Sequence, residues 1–311
     1  MRIAILSDIH GNLSALRAVA EHLQRQEIER VVVAGDMATA GPQPEETMRF
    51  LIARGWPMLL GNHEVYVRQY HDPKGPAAWR DSKQWAALRW ACRQLSPESV
   101  ALMQRLPAGI RIEAQGPHAL RICHGSHRSP SESLIPEGPG ELLDVHRRAG
   151  ALAEDEVPPP LITRLDGLIE ANLVCGHTHI PWVWHRKGRM VVNAGSVGAP
   201  INDDVRAQYV LLTLGSDGWR AAIRAVRYPV DETLRAYRQG GMLEEGGAFA
   251  YALYHDVANA QNTSFYLVKH AERVAHDLGV AHAAAQPDPV WERAVATFPW
   301  SDWGLEPPQR A

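Results

Sequence analysis

Five short polar motifs occur along the chain, and four of them end a run of apolar residues. In chain order they are Asp8-Ile9-His10, Gly35-Asp36, Gly61-Asn62-His63-Glu64, Cys123-His124-Gly125 and Gly176-His177-Thr178-His179. Their carboxylates, imidazoles and single amide oxygen are side chains that bind divalent metal ions. Because a pair of such ions serves for in-line displacement at phosphorus, the motifs predict chemistry on a phosphate ester.

The spacing inside two motifs suggests how the ligands are grouped. Asp8 and His10 are separated by one residue, so on an extended segment both side chains point the same way and can hold one ion. The same argument applies to His177 and His179. A carboxylate elsewhere in the chain, such as Asp36, can bridge two ions.

The elements that must position these groups alternate between apolar runs and helical patterns. The predicted order is strand 3–7, helix 14–26, strand 31–34, helix 45–53 and strand 57–60. This order implies a parallel sheet with right-handed crossovers, in which active groups gather beyond the carboxyl ends of the strands. Asp8, Asp36 and Asn62 each follow the last residue of a predicted strand, so we expect them to meet at one edge.

The remaining chain predicts further structure around this sheet. A helical insert covers about residues 64–109, and a loop-rich insert covers about residues 126–170. Dense strands after residue 172 suggest a second, partly antiparallel sheet and an α/β/β/α sandwich. The predicted domain therefore spans residues 1–228, and residues 229–311 form a mostly helical C-terminal extension.

Composition excludes several classes of protein. The 311 residues are 45% hydrophobic with a formal net charge of −3, so we expect no generic nucleic-acid binding. No apolar run approaches the roughly 18 residues of a membrane span. Three cysteines do not make a disulfide framework, and we expect a cytoplasmic protein without membrane contact.

The complete motif set resembles the calcineurin-like metallophosphoesterase superfamily over about residues 1–226, and in detail its small bacterial and archaeal phosphoesterases. The detailed resemblance rests on the stretches Gly41-Pro42-Gln43-Pro44 and Asn193-Ala194-Gly195-Ser196-Val197-Gly198 among others. The resemblance implies two divalent metal ions, with manganese expected and iron, zinc or nickel left open. It implies a first ion held by Asp8, His10, Asp36 and His179, and a second held by Asp36, Asn62, His124 and His177. It also implies that His63 contacts the phosphate and protonates the leaving oxygen.

The expected function is hydrolysis of a small phosphodiester or a nucleotide by two metal ions. A phosphomonoesterase is the alternative within the same mechanism, and a non-catalytic interaction scaffold on the same fold is the alternative from another class. Residues 64–111 contain eight Lys or Arg and four Asp or Glu, which favours an anionic substrate, and Tyr66, Tyr70 and Trp79 are candidates for stacking on a base.

The C-terminal extension has two interpretations. It carries eleven acidic and six basic residues, so it can pack near the basic insert and narrow the entrance to the site. Equally, it can be a stabilising or oligomerising appendage that stays away from the site.

Overall fold

Nine strands in two β-sheets lie at the centre of the computed structural model, which describes residues 1–114, 118–138, 140–153, 156–281 and 285–308. The strands are β1 (Arg2–Leu6), β2 (Arg30–Val33), β3 (Gly109–Ile112), β4 (Leu120–Cys123), β5 (Asn172–Cys175), β6 (Trp182–Arg186), β7 (Arg189–Asn193), β8 (Ala207–Gly215) and β9 (Gly218–Val226). The first sheet has the order β2-β1-β8-β9, and the second has the order β3-β4-β5-β7-β6.

The pairing pattern confirms part of the predicted topology and corrects another part. β1 and β2 are parallel, with Ile3 opposite Arg30, as the alternation of strands and helices predicts. The last two strands do not belong to the second sheet, because β8 pairs antiparallel with both β1 and β9 in the first. The first six residues of β8 are all buried, so the strand requires a central position between two neighbours.

The two sheets pack face to face through alternating side chains. In β1, Ile3 and Ile5 enter the core between the sheets, whereas Ala4 and Leu6 face a second core on the helix side. This period of two is the geometry of a strand that is buried on both faces. Val174 and Val192 reach the same intersheet core from β5 and β7.

Helices cover the outer faces of both sheets and complete the predicted four layers. On the first sheet and its insert they are α1 (Leu13–Gln24), α2 (Pro44–Arg54), α3 (Asn62–His71), α4 (Ala78–Asp81), α5 (Ala86–Gln94) and α6 (Pro97–Met103), and on the second they are α7 (Gly140–Arg148) and α8 (Leu161–Arg164). The predicted loop-rich insert includes residues 139 and 154–155, which lie outside the described residues. Within the described part of the chain, every helix is too short or too polar to span a lipid bilayer.

The prediction of a strand at residues 57–60 is wrong. Its only ladder contact is an isolated parallel bridge between Val33 and Met58. Pro57 has no backbone N–H to donate, and the N–H of Leu60 turns away to the carbonyl of Pro107 at 2.8 Å. The segment still runs beside β2, so it delivers Asn62 to the predicted edge.

Four helices form the C-terminal extension and confirm its helical character. They are α9 (Val230–Gln239), α10 (Met242–Asn259), α11 (Thr263–Asp277) and α12 (Asp288–Thr297). Residues 282–284 and 309–311 of the predicted extension lie outside the described residues, and the domain boundary at residue 228 remains a proposal.

The extension packs on the helical insert, as one of the two interpretations predicts. Met242 and Leu253 of α10 share a core with Ala87, Trp90 and Ala91 of α5. At the periphery, the amine of Lys83 lies 2.6 Å from Glu292 and the guanidinium of Arg93 lies 2.5 Å from Glu245. Since these ion pairs are about half exposed, the apolar contact carries most of the docking energy.

We therefore expect Met242→Ala to lower the free energy of unfolding by about 2–5 kcal/mol, because it opens a cavity at a fully buried position. The control variant Glu292→Gln removes one exposed ion pair and is expected to cost about 1 kcal/mol or less. Urea unfolding followed by circular dichroism measures both. Equal losses for the two variants would contradict docking through apolar contact.

Candidate metal centre

The backbone at the metal-binding motifs is strained. Five of the predicted ligands have positive φ angles, namely Asp8 at 55°, His10 at 47°, Asp36 at 53°, His177 at 68° and His179 at 56°. Left-handed backbone is uncommon outside glycine and costs on the order of 1–3 kcal/mol per residue. The extended geometry assumed from the spacing is therefore wrong, and tight turns aim these side chains.

Hydrogen bonds between separate loops hold the strained turns. The carbonyl of Asp36 accepts from the backbone N–H of Ile9 at 2.8 Å and of His10 at 3.0 Å. The carbonyl of Asp8 accepts from the Ser196 hydroxyl at 2.7 Å and from the N–H of Gly198 at 2.9 Å. The turn at residues 193–198 thus supports the first motif from the other sheet.

Two of the motif glycines are required because their neighbours come very close. A Cβ atom at Gly61 would lie 2.1 Å from Oδ1 of Asp36, and one at Gly176 would lie 2.0 Å from Oγ of Ser7. Any side chain at either position would push a predicted ligand or its neighbour out of place.

The first group of metal-binding atoms comes from Asp8, His10 and His179, which lie within 4.8 Å of one another. The Nε2 atoms of His10 and His179 are 3.1 Å apart, and His179 Nε2 is 3.2 Å from Oδ1 of Asp8. Both imidazoles donate their Nδ1–H to backbone carbonyls, His10 to Thr39 at 2.9 Å and His179 to Ala199 at 2.5 Å. In the neutral rings both Nε2 lone pairs therefore face each other, and only a shared cation satisfies them.

The second group comes from Asp36, His124 and His177, again within 4.8 Å. The Nδ1–H of His124 donates to the carbonyl of Ala34 at 2.8 Å, which leaves Nε2 to face the site. That atom lies 3.2 Å from Oδ2 of Asp36 and 3.0 Å from the side-chain oxygen of Asn62. His177 and His179 thus belong to different groups, in contrast to the single ion suggested by their spacing.

The charges of the cluster also fit cations. Burial opposes a charge on His124, but Asp36 and Asp8 outweigh it and raise its pKa to about 10. Burial likewise opposes a charge on His179, and Asp8 raises its pKa. In each group, therefore, the neighbouring carboxylates favour a positive charge at one imidazole. In addition, Oδ1 of Asp8 is buried without a hydrogen-bond partner among the described residues, so the donor set fits divalent metal ions.

His63 lies at the open side of the cluster. Its Nδ1 is 2.6 Å from the hydroxyl of Thr39, and its Nε2 is 3.9 Å from Oδ2 of Asp36. The side chain is 25% exposed, whereas those of Asp36 and His10 are nearly inaccessible. Burial lowers the pKa of His63. A third group of candidate ligands consists of His10, Asp36 and His63, so geometry alone permits His63 to bind metal.

Two residues that position the site were not assigned a role from the sequence. Glu64 accepts the backbone N–H groups of Asp36, Met37 and Gly61 at 2.8–2.9 Å. Burial and the charge of Asp36 raise its pKa to about 7. Its place three residues into α3 is the capping-box position, a signal that the sequence contains. Thr39 contacts both His10 and His63, and no pattern in the sequence indicates it.

A cavity of about 390 Å³ opens directly above the metal-binding groups. Four of the histidines line it, namely His10, His63, His177 and His179. Its walls come from the helical insert and the extension, including Leu88 of α5 and Phe249 of α10. The extension therefore borders the entrance, as one interpretation of the sequence predicted.

Of the three aromatic residues suggested for base stacking, Tyr66 lines the cavity. Trp79 is instead buried against Trp85, with ring centroids 4.4 Å apart, and Tyr70 packs on the helix-side core. Trp85 does line the cavity, as do Phe249 and Phe265 of the extension. The composition of the cavity wall was therefore not predictable from sequence position.

Comparison with known families shows to which family the chain belongs. The model of the calcineurin-like phosphoesterase superfamily domain matches residues 1–217 of the 311-residue chain. The chain belongs to the calcineurin-like phosphoesterase superfamily. This match agrees with the resemblance carried by the motifs and covers every candidate ligand.

Two solved structures have a similar fold at low sequence identity, and one further protein is similar in sequence. A metallophosphoesterase from Sphaerobacter thermophilus has a TM-score of 0.60 and 24% identity, covering 83% of this chain and 99% of that one. A hypothetical protein from Pyrococcus horikoshii has a TM-score of 0.60 and 18% identity, covering 79% and 95%. An uncharacterised protein from Methanocaldococcus jannaschii is 23% identical over 226 residues, covering 67% of this chain and 81% of its own. Since 83% of the chain is more than residues 1–228, part of the extension has a counterpart in the Sphaerobacter structure.

The position of Glu64 leads to a prediction. Glu64→Gln leaves one acceptor oxygen for three N–H groups, so the Asp36 and Gly61 loops should loosen. We expect Mn²⁺ affinity to fall about 10–100-fold, the range for partners that orient metal ligands.

Glu45→Gln is the matched control, because Glu45 accepts the N–H of Ser96 away from the site. Calorimetric titration with Mn²⁺ measures both variants, and we expect Glu45→Gln to bind as the wild type does. Wild-type affinity in Glu64→Gln would show that the three hydrogen bonds do not position the ligands.

Proposed function

We propose that the protein hydrolyses small phosphate esters with two divalent metal ions, and that a phosphodiester or a nucleotide is the preferred substrate. The observation that carries this proposal is the meeting of two metal-binding groups in one buried cluster. Every ligand type expected from the sequence is present there, which supports an enzyme rather than a scaffold. The three cysteines are buried free thiols, which supports a reducing, cytoplasmic location.

In the proposed site, the first ion is held by Asp8, His10, Asp36 and His179, and the second by Asp36, Asn62, His124 and His177. Asp36 is assigned to both because its Oδ2 lies 3.8 Å from Nε2 of His10 and 3.2 Å from Nε2 of His124. When bound, such a metal pair neutralises phosphate charge and activates a water for in-line attack. We propose manganese as the native metal, with iron, zinc and nickel compatible with the same nitrogen and oxygen ligands.

His63 is proposed to act on the substrate. Thr39 orients its ring from the Nδ1 side, which directs Nε2 toward the centre and the cavity. Burial lowers the pKa of His63, so its protonated form is a stronger acid than an exposed imidazolium. The partly exposed ring can reach a phosphate ester that the buried side chain of Asp36 cannot reach.

The direct test is a screen of bis(p-nitrophenyl) phosphate and p-nitrophenyl phosphate with Mn²⁺, Fe²⁺, Zn²⁺ and Ni²⁺. We expect metal-dependent release of p-nitrophenolate, faster from the diester than from the monoester. A preference for the monoester would support the phosphomonoesterase alternative. Absence of turnover with every metal, in a protein that binds two ions per chain, would contradict the proposal.

Asp36→Asn tests the shared ligand. Loss of the bridging charge should reduce the metal content from two ions toward none and lower turnover by at least a hundredfold, because one side chain serves both sites. Elemental analysis after gel filtration measures the metal, and Asp217→Asn at an exposed position is the control. Two ions retained with near-normal turnover would refute the bridging role.

His63→Gln tests the proton donor. We expect both metal ions to remain, with turnover of alkyl esters reduced about 10²–10⁴-fold, as is typical for loss of general acid catalysis. Turnover that expels p-nitrophenolate should fall less, since this leaving group needs little protonation.

Metal analysis and rate measurements on both leaving groups are needed, with His276→Gln at an exposed position as the control. Loss of metal would make His63 a ligand. An equal rate loss for both leaving groups would exclude proton donation.

A further inference from the structure

We propose that the cavity beside the metal centre binds the apolar organic group of an ester with a single phosphate, an alkyl chain or one plain aromatic ring. This inference rests on the proposed phosphoesterase function and narrows its substrate. The cavity is continuous with the centre, because His10, His63, His177 and His179 line one part of it. A phosphate at those histidines therefore places its organic group between the insert and the extension.

Apolar side chains form the walls on both sides. Leu253 and Val257 of α10 line the cavity, together with Phe265 and Val268 of α11. Leu88 of α5 lines it from the insert. Burial of an apolar group against such walls is favourable in proportion to the area removed from water.

The cavity lining lacks the positively charged side chains that would bind a substrate with several negative charges. Among the described residues that line the cavity there is no lysine or arginine. Its one carboxyl group is Asp256, which accepts the backbone N–H groups of Thr263 at 2.5 Å and Ser264 at 3.1 Å. A substrate with further phosphates would therefore meet no cationic partner here and a carboxyl group instead.

Four basic residues of the insert make structural contacts. Arg68 donates to the carbonyls of Met103 and Leu106, and Arg89 donates to the carbonyl of Ser82. Lys83 and Arg93 pair with acids of the extension. The positive balance of the insert thus does not indicate an anionic group in the cavity, although the sequence favoured one.

Two polar side chains of the lining are also engaged in hydrogen bonds within the protein. The side-chain oxygen of Gln84 accepts the N–H of Gln286 at 2.7 Å, and the amide of Asn262 donates to the carbonyl of Ala149 at 2.7 Å. Recognition of a nucleobase edge needs polar groups directed at it. The volume of about 390 Å³ is near the lower end for small-ligand sites, which suits a chain or a single ring.

The test uses the Mn²⁺-loaded protein and p-nitrophenyl phosphodiesters whose second group is methyl, butyl, hexyl or thymidine. We expect kcat/KM to rise at least tenfold from methyl to hexyl, within the limit of about fourfold per methylene set by hydrophobic transfer. The thymidine ester should react no faster than the methyl ester. A flat dependence on chain length, with all esters hydrolysed, or a preference for thymidine would overturn this inference and leave the proposed function standing.

A matched pair of variants tests whether the dependence on chain length arises in this cavity. Val268 and Val274 both lie on α11, are half-buried and pack on the same cluster, but of the two only Val268 is among the residues lining the cavity. Val268→Ser should reduce the hexyl-to-methyl ratio at least threefold, and Val274→Ser should retain it. Equal ratios in the two variants would count against the cavity as the binding site.

A binding measurement separates this inference from the proposed function. We expect the metal-free protein to bind 4-butylphenol at least tenfold more tightly than phenol, as measured by calorimetry. Such binding without hydrolysis of any ester would support the cavity assignment while refuting the phosphoesterase proposal. Equal affinity for the two phenols would overturn the inference whatever the turnover.

Discussion

The centre depends on three backbone N–H groups that share one buried carboxylate. Glu64 binds the N–H groups of Asp36, Met37 and Gly61, and so joins the loop after β2 to the start of α3. The carbonyl of Asp36 in turn fixes the backbone of Ile9 and His10 after β1. Loops from distant parts of the chain are therefore locked together before any metal binds, and the ligands need little rearrangement to hold one.

This preorganisation costs free energy, as the geometry of the cluster shows. Five ligand residues have left-handed backbone, and the Nε2 atoms of His10 and His179 approach to 3.1 Å. Hydrogen bonds between the loops hold the left-handed turns, and a cation between the two nitrogen atoms would relieve their close approach. The carbonyls of Thr39, Ala199 and Ala34 determine which imidazole nitrogen faces the centre.

Packing of the extension against the insert encloses a cavity with apolar walls beside the metal-binding groups. Acidic and basic residues of these two segments pair at the rim, while apolar residues of α10 and α11 extend the cavity away from the histidines. The same docking therefore pairs two cations of the insert, Lys83 and Arg93, and builds an apolar wall. Under the function and the substrate proposed above, the metal ligands determine the reaction class and the extension determines which organic group is admitted.

The sequence by itself determined the fold family, the sandwich and the types of residue at the centre, because four of the five motifs follow an apolar run and such runs are visible in the local sequence. Only the tertiary structure decided the rest. It gave His177 and His179 left-handed turns rather than the extended backbone assumed from their spacing. It placed β8 and β9 in the first sheet and replaced the strand at 57–60 by a single bridge. The role of Thr39, the contacts of Glu64 with Asp36 and Met37, the pairing of Lys83 and the apolar cavity depend on residues far apart in the chain, which no local pattern contains.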